Sequence, residues 1–287
     1  MLPVDPPVAD VRAAVTRALA EDLTPLGDVT SALLPPDLEA DADLVARQDG
    51  VFAGRSCVDA TFAAVDEGVR VQWTIDGDGA LLQAGTHIAR VSGPLASILT
   101  AERTALNFAT HLSGIATLTR RHVDAVSERI VVWDTRKTTP GLRALEKAAV
   151  RAGGGRNHRG NLSDWVLVKD NHRDVLGVKE AVVRARERWP GRTVHVECDT
   201  AEHVREALEA RADALLLDNM TPEEAAGCME LVRSERDDER PLVEASGGIS
   251  LENVAAYADA GVDAVSVGAL TSSAPALDIG LDLVGPL

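Results

Sequence analysis

From Ile130 onward the chain alternates without a break between short apolar runs and helix-period stretches, the pattern of βα units wound around a parallel sheet. Strands are expected over 130–133, 166–168, 194–196, 214–217, 242–243 and 264–267, and helices near 142–151, 175–188, 201–211, 222–233 and 251–260. Each apolar run closes on polar groups: Asp134 with Arg136 and Lys137, Lys169 with Asp170, Glu197, Asp218 with Asn219, Glu244 with Ser246, and Ser266 with Gly268. A parallel barrel assembles its site from the C-terminal ends of several strands. An open doubly wound sheet concentrates ligand groups at one switch point instead. Polar endings on every strand therefore favour an α/β barrel, incomplete because only six or seven strands are visible.

The preceding sequence reads as a mixed α/β region, with an amphipathic helix near 8–21 and strands near 44–48, 69–75 and 87–92. A long helical pattern runs over 96–111, pauses at Ser113-Gly114 and resumes to about residue 128. The expected division is an N-terminal α/β domain over 1–112 and a barrel catalytic domain over 113–275, with the tail 276–287 a candidate to pack on the first. At 287 residues and 45% hydrophobic content, the chain can fill both cores. It has no 18-residue apolar run and no basic segment leading into an apolar one, so neither a membrane span nor a signal peptide is expected and the cytoplasm is the expected compartment. Cys57, Cys198 and Cys228 have neither metal nor disulfide spacing and are expected in the core.

A net charge of -16 argues against nucleic-acid binding. The local balance is different. Between Asp134 and Gly160 seven basic residues (Arg136, Lys137, Arg143, Lys147, Arg151, Arg156, Arg159) face two acidic ones (Asp134, Glu146), a local surplus of five positive charges that points to a specific anion. Among 29 basic residues the only lysines are Lys137, Lys147, Lys169 and Lys179, all within one short window. In a chain that otherwise uses arginine, this points to a need for the compact ammonium group.

Arg136, His158 and Arg159 offer planar bidentate donors and a ring N–H, suited to carboxylates or phosphates. Gly153-Gly154-Gly155 would let the backbone bend close to a ligand, and His172 is a candidate hydrogen-bonding support. Glu197 and Asp218 end neighbouring strands. There they could act as acid and base, hold Mg²⁺, or stabilise a cationic sugar transition state. A two-carboxylate glycosidase is one reading of the pair, but a neutral sugar has little use for so much positive charge. Lys169 could form a Schiff base in an apolar pocket; with Asp170 adjacent, a charged anion-binding role fits better. Ser246-Gly247-Gly248, leading to a helix capped by Ser250, and Val267-Gly268-Ala269 follow the last two strands, where barrels bind phosphate. A plain tight turn is the alternative for either.

Read in order, these blocks resemble the quinolinate phosphoribosyltransferase family, the carboxylating nicotinate-nucleotide pyrophosphorylases. The resemblance rests on residues 134–143 (DTRKTTPGLR), 153–159 (GGGRNHR), 168–172 (VKDNH), 217–219 (LDN), 244–249 (EASGGI) and 266–271 (SVGALT). Earlier segments 21–23, 27–30, 101–107 and 112–117 continue it, so it spans the chain almost end to end. It implies transfer of phosphoribosyl from phosphoribosyl pyrophosphate to quinolinate with decarboxylation, giving nicotinate mononucleotide, pyrophosphate and carbon dioxide in NAD biosynthesis, with Mg²⁺. It implies that Arg136, His158, Arg159 and Lys169 hold the two pyridine carboxylates, with Thr135 beside them, while Lys137 and Lys169 reach toward phosphates. Glu197, Asp218 and the adjoining Asn219 would face the ribose and the Mg²⁺-pyrophosphate, the two carboxylates directly or through water. Ser246, Gly247, Gly248, Val267, Gly268 and Ala269 would take the 5′-phosphate. Lys137, Lys169, Glu197 and Asp218 are the implied catalytic set. Arg103 would enter a neighbouring subunit's site, which requires a homodimer or higher homo-oligomer.

The chain departs from the family pattern at Ala148, where tyrosine is usual, and at Ser272, where histidine is usual. Two other functions are carried alongside: a related barrel phosphoribosyltransferase of the kind associated with molybdate transport, acting on another base, and a non-catalytic sensor of phosphoribosyl pyrophosphate.

Overall fold

The computed structural model describes residues 5–235 and 239–285. Helix α1 (Val8–Leu23) buries Val11, Ala14, Val15 and Leu19, the 3–4 spacing of one helical face. Strand β1 (Glu39–Ala46) follows, and a short β2 (Gly50–Val51) leads into α2 (Arg55–Val65). No helix is expected over α2 from the sequence. Its N-terminus is capped from a distance: the Asp78 carboxylate accepts from the N–H groups of Gly54 and Arg55 at 3.1 and 3.0 Å. The remaining strands before the long helix are β3 (Arg70–Trp73), β4 (Leu81–Leu82) and β5 (His87–Pro94).

Helix α3 runs unbroken over Leu95–Val126, so the expected boundary at 112–113 falls inside a continuous helix. Its small residues serve packing rather than a pause. A Cβ on Gly114 would stand 2.1 Å from the Pro275 carbonyl, and Ser113 Oγ accepts from the N–H of Ala53 at 3.0 Å. After β6 (Val131–Trp133) comes α4 (Arg143–Ala152), whose stretch from Leu145 to Val150 is buried, Ala148 included. Glu146, fully buried, takes His111 Nε2 at 2.8 Å and the Thr139 N–H at 3.1 Å, which fixes the loop ahead of α4. Gly153 is tight for the same kind of reason as Gly114: a Cβ there would lie 2.4 Å from the Ala116 carbonyl. The glycine triplet thus lets α4 end against α3.

The remaining elements are β7 (Val166–Val168), α5 (Asp170–Leu176), α6 (Val178–Arg188), β8 (Val194–Cys198), α7 (Ala201–Glu209), β9 (Ala214–Asp218), α8 (Pro222–Glu235), β10 (Leu242–Ser246), α9 (Val254–Ala260), β11 (Ala264–Ser266), α10 (Ala269–Ser272) and β12 (Ile279–Val284). The helix expected over 175–188 is two helices, parted at Gly177, whose φ of 74° no helix interior accepts.

The residues group into two compact units. One comprises the chain up to Arg120, Thr138–Gly154 and the chain from Leu270 on. It holds an antiparallel sheet in the order β12-β1-β5-β3, so the C-terminal strand pairs with β1 (Leu44 opposite Leu281). Its core gathers Phe52, Phe62, Ile88, Ile98 and Leu277. The other comprises Arg121–Lys137 and Gly155–Ala269, with six parallel strands in the order β6-β11-β10-β9-β8-β7. Each strand from β7 to β11 neighbours its successor, and β11 pairs with β6, the unit's first strand. First pairing with last is how a sheet curls into a barrel. Among the described residues β6 and β7 are not paired, so the barrel is incomplete and six-stranded, as its sequence pattern implies. Among the described residues no helix is long and apolar enough to cross a membrane.

Candidate active site

Strand pleat decides which side chains meet inside the barrel, because alternate residues share a face. The register aligns Glu197, Leu216, Glu244 and Ala264 across β8 to β11, and one step further along aligns Asp218, Ser246, Ser266 and Trp133. The alternating residues Val196, Cys198, Leu215, Leu217, Val243, Ala245 and Val265 are buried on the opposite face. The polar strand endings therefore converge. They line a cavity of about 440 Å³ formed by Thr135, Arg136, Lys137, His158, Arg159, Leu167, Lys169, Glu197, Leu216, Asp218, Asn219, Ser246, Gly247 and Ser266.

The β6 end is tied to the segment between α4 and β7 by Asp134, which is fully buried. Its carboxylate accepts from Asn157 Nδ2 at 2.6 Å and from the N–H of His158 at 2.9 Å. Thr135 Oγ1 accepts from the N–H of Lys137 at 3.0 Å, turning the loop inward. Arg159, 8% exposed, has its basicity lowered, first by burial and then by the neighbouring charge of Arg136. The charges of Asp164, Glu197 and Glu244 oppose that shift, and two neighbouring guanidinium groups suit an incoming carboxylate or phosphate.

At the β7 and β8 ends, Lys169 Nζ is ion-paired with Glu197 Oε2, and the Asp170 N–H approaches Glu197 Oε1 at 3.4 Å. Arg173, buried on α5, donates to the Glu197 carbonyl at 2.8 Å and to Asp199 Oδ2 at 2.6 Å. His172 accepts the Lys169 N–H on Nδ1 at 3.2 Å and so supports the start of α5. Carboxylate oxygens of Glu197, Asp199 and Asp218 lie within 4.8 Å of one another. The proton affinity of Asp218 is raised by burial first, then by the charges of Glu197 and Asp199, against the opposing pull of Lys169 and Lys137. Three hard oxygen donors with excess negative charge suit a hard divalent cation.

The loops after β9 and β10 interlock. Asn219, at φ 56°, donates its N–H to the Ser246 carbonyl at 2.8 Å and its side-chain amide to Asp218 Oδ2 at 2.7 Å. Gly247, at φ 89°, faces Asn219 so closely that a Cβ would fall 2.1 Å from Oδ1. Ser250 does not cap the next helix. That helix begins at Val254 behind Asn253, whose side chain accepts the Ser250 N–H at 2.8 Å and donates to the Gly248 carbonyl at 2.9 Å. Any phosphate here would meet loop N–H groups rather than a helix end. Gly248, Val267, Gly268 and Ala269 do not line the cavity, although a Cβ on Gly268 would press Lys137 Cδ at 3.2 Å.

The cationic stretch of the sequence is divided. Arg136, Lys137 and Arg159 line the cavity; Arg143 donates to Thr138 Oγ1, Arg151 donates to the carbonyls of Lys147 and Asp5, Lys147 is buried on α4, and Arg156 is exposed. Lys179 is exposed on α6, and Arg103 is exposed on α3. Ser272 Oγ lies 3.2 Å from Ser273 Oγ. All three cysteines are buried and free. One pair behind the cavity lining is not anticipated from sequence: His195 stacks on Trp165 with ring centroids 5.0 Å apart, and burial pushes its pKa down to about 4. Its position two residues before Glu197, hence on the same strand face, is the signal that marks it.

Comparison with known proteins gives matches along nearly the whole chain. Residues 28–113 match the family model for the quinolinate phosphoribosyl transferase N-terminal domain, and residues 115–282 match that for the C-terminal domain. The nicotinate-nucleotide pyrophosphorylase (carboxylating) of Mycobacterium leprae is 44% identical over 282 residues, covering 95% of this chain and 96% of that one. The mitochondrial quinolinate phosphoribosyltransferase (decarboxylating) 2 of Nicotiana glauca is 38% identical over 298 residues, covering 96% and 83%. The solved nicotinate-nucleotide pyrophosphorylase of Francisella tularensis superposes with a TM-score of 0.91 at 34% identity, covering 98% of each chain.

Proposed function

The chain belongs to the quinolinate phosphoribosyltransferase family, and from that premise we propose that its barrel joins quinolinate to phosphoribosyl pyrophosphate, releasing pyrophosphate and carbon dioxide and forming nicotinate mononucleotide for NAD synthesis. The observation that carries this reading is the convergence of Arg136, Lys137, His158, Arg159 and Lys169 with Glu197 and Asp218 on one cavity. The cations match a dicarboxylate and a phosphorylated sugar. The carboxylates match the positive charge that develops on the ribose.

Arg136, His158, Arg159 and Lys169 hold the two pyridine carboxylates, placing the ring nitrogen against C1 of the ribose. The nitrogen lone pair forms the new C–N bond as the bond from C1 to pyrophosphate oxygen breaks. Glu197 and Asp218 stabilise the cationic sugar in between, by about 3 kcal/mol for a well-placed group. The ring nitrogen is then quaternary. The bond from C2 to its carboxylate breaks, its electron pair stays at C2 beside the positive nitrogen, and a proton from water or an acid restores C–H. Lys137 reaches toward phosphate, while Ser246 and Gly247, with the adjoining Gly248 and the 267–269 loop, take the 5′-phosphate.

Mg²⁺ fits the carboxylate group: Glu197 and Asp218 would hold it, directly or through water, and it would neutralise charge on the departing pyrophosphate. Arg103, exposed on α3, supports a homodimer in which it enters the partner's site. The cytoplasm is the compartment we propose. A base lacking two carboxylates has little use for both Arg136 and Arg159, which face the cavity; tight binding of phosphoribosyl pyrophosphate without quinolinate-dependent pyrophosphate release would favour a sensor instead. Purified protein given phosphoribosyl pyrophosphate, Mg²⁺ and either quinolinate or nicotinate is expected to form nicotinate mononucleotide from quinolinate only. Equal use of nicotinate overturns the reading.

A further inference from the structure

We infer that Glu244 is a positioning residue for this reaction, acting through His158 to hold that ring in the orientation it presents to quinolinate; the inference rests on the functional reading above. Glu244 lies inside the barrel on β10 and is fully buried. Its Oε2 accepts from Ser266 Oγ at 3.1 Å, and its Oε1 meets Nε2 of His158 at 3.2 Å. An ionised carboxylate only accepts hydrogen bonds, so the network assigns the ring hydrogen facing Glu244 to Nε2. His158 itself lines the cavity, so the ring orientation that Glu244 fixes is the one a bound ligand meets.

The surroundings hold that arrangement. Trp133 and Trp165 pack edge-on against His158, with ring centroids 5.5 and 4.8 Å away, so rotation of the ring would displace an indole. The second histidine near Glu244, His195, is fixed by stacking on Trp165, with ring centroids 5.0 Å apart. The charge of Glu244 also supports the protonated form of Arg159 against the effect of burial. Glu244 thus stands one step behind two of the residues that grip the dicarboxylate, without lining the cavity itself. Removing its charge while keeping its shape should weaken the hold on quinolinate and leave phosphoribosyl pyrophosphate untouched.

The test compares wild type, Glu244→Gln, His158→Gln and the double variant by steady-state kinetics in each substrate and by calorimetric titration with quinolinate. Glu244→Gln is expected to raise the KM and Kd for quinolinate by about ten-fold, with the KM for phosphoribosyl pyrophosphate within about two-fold. Because Glu244 acts through His158, the double variant should bind quinolinate within about two-fold of His158→Gln alone. A full ten-fold further loss in that background, equal losses for both substrates, or no loss in Glu244→Gln overturns the inference. Should Glu244→Gln fail to fold, Ser266→Ala removes one anchor of Glu244; a rise of about three-fold in the quinolinate Kd is expected, and an unchanged value overturns the inference. Wild-type protein that neither binds nor turns over quinolinate overturns the functional reading and this inference together, whereas normal wild-type turnover with an unaffected Glu244→Gln overturns this inference alone.

Discussion

Lys169 and Glu197 form an ion pair across the C-terminal ends of adjacent strands, with the lysine side chain half exposed and the glutamate buried. The arrangement holds a negative charge in place before any substrate arrives, which is the condition for electrostatic stabilisation without reorganisation during the reaction. Glu197→Gln and Asp218→Asn are therefore expected to lower kcat by roughly 100-fold each while moving the quinolinate KM by less than about three-fold. Steady-state kinetics decide it; a change confined to KM would remove these carboxylates from the chemical step.

The proposed function gives Arg136 and Arg159 the dicarboxylate. A charge-assisted hydrogen bond contributes about 1.5–3 kcal/mol, so truncating either arginine to alanine should weaken quinolinate binding by at least about ten-fold. Binding of phosphoribosyl pyrophosphate should change far less. Calorimetry with each ligand separately measures both, and equal losses would contradict the division of roles.

His195 makes acid stability a readout of the barrel wall. Its folded pKa of about 4 lies below its ordinary 6.5, so the unfolded chain binds the extra proton first. The stability it supports is complete above pH 6.5 and is lost as the pH falls toward about 4, up to about 3 kcal/mol. His195→Gln should flatten the chemical-denaturation midpoint across that window. A variant retaining the wild-type slope would show that another group titrates there.

The proposed homodimer puts Arg103 in the partner's site. Arg103→Ala and Lys137→Ala are each expected to be inactive, and mixing them under conditions of subunit exchange should restore up to about a quarter of wild-type activity through hybrid dimers with one intact site. Proven exchange without recovery would place Arg103 outside a shared site.

Much of the barrel is legible in the sequence, because a strand covered on both faces must be apolar and its polar ending must then be functional or capping. The strand at 166–168, the one expected at 264–267 and found over Ala264–Ser266, and the cluster of Lys169, Glu197, Asp218 and Ser246 follow from that rule alone. Elements organised by distant contacts do not. Helix α2 depends on Asp78, 23 residues beyond Arg55. Ser113-Gly114 and the 153–155 glycines look like breaks or flexible loops, yet they are small because a carbonyl passes within 2.1 Å of a Cβ on Gly114 and within 2.4 Å of one on Gly153. Counting charge along the chain also overstates the anion site, since Arg143 and Arg151 turn to local hydrogen-bond partners. His195 is hidden for the opposite reason: it lies inside a strand, one pleat below Glu197, which advertises the site.

The most direct measurement follows quinolinate labelled in its 2-carboxylate through a single assay with phosphoribosyl pyrophosphate and Mg²⁺. The prediction is one labelled carbon dioxide and one pyrophosphate released for each nicotinate mononucleotide formed, at a rate roughly 100-fold lower in Glu197→Gln. Pyrophosphate release without labelled carbon dioxide, or no turnover at saturating substrates, would contradict the central claim.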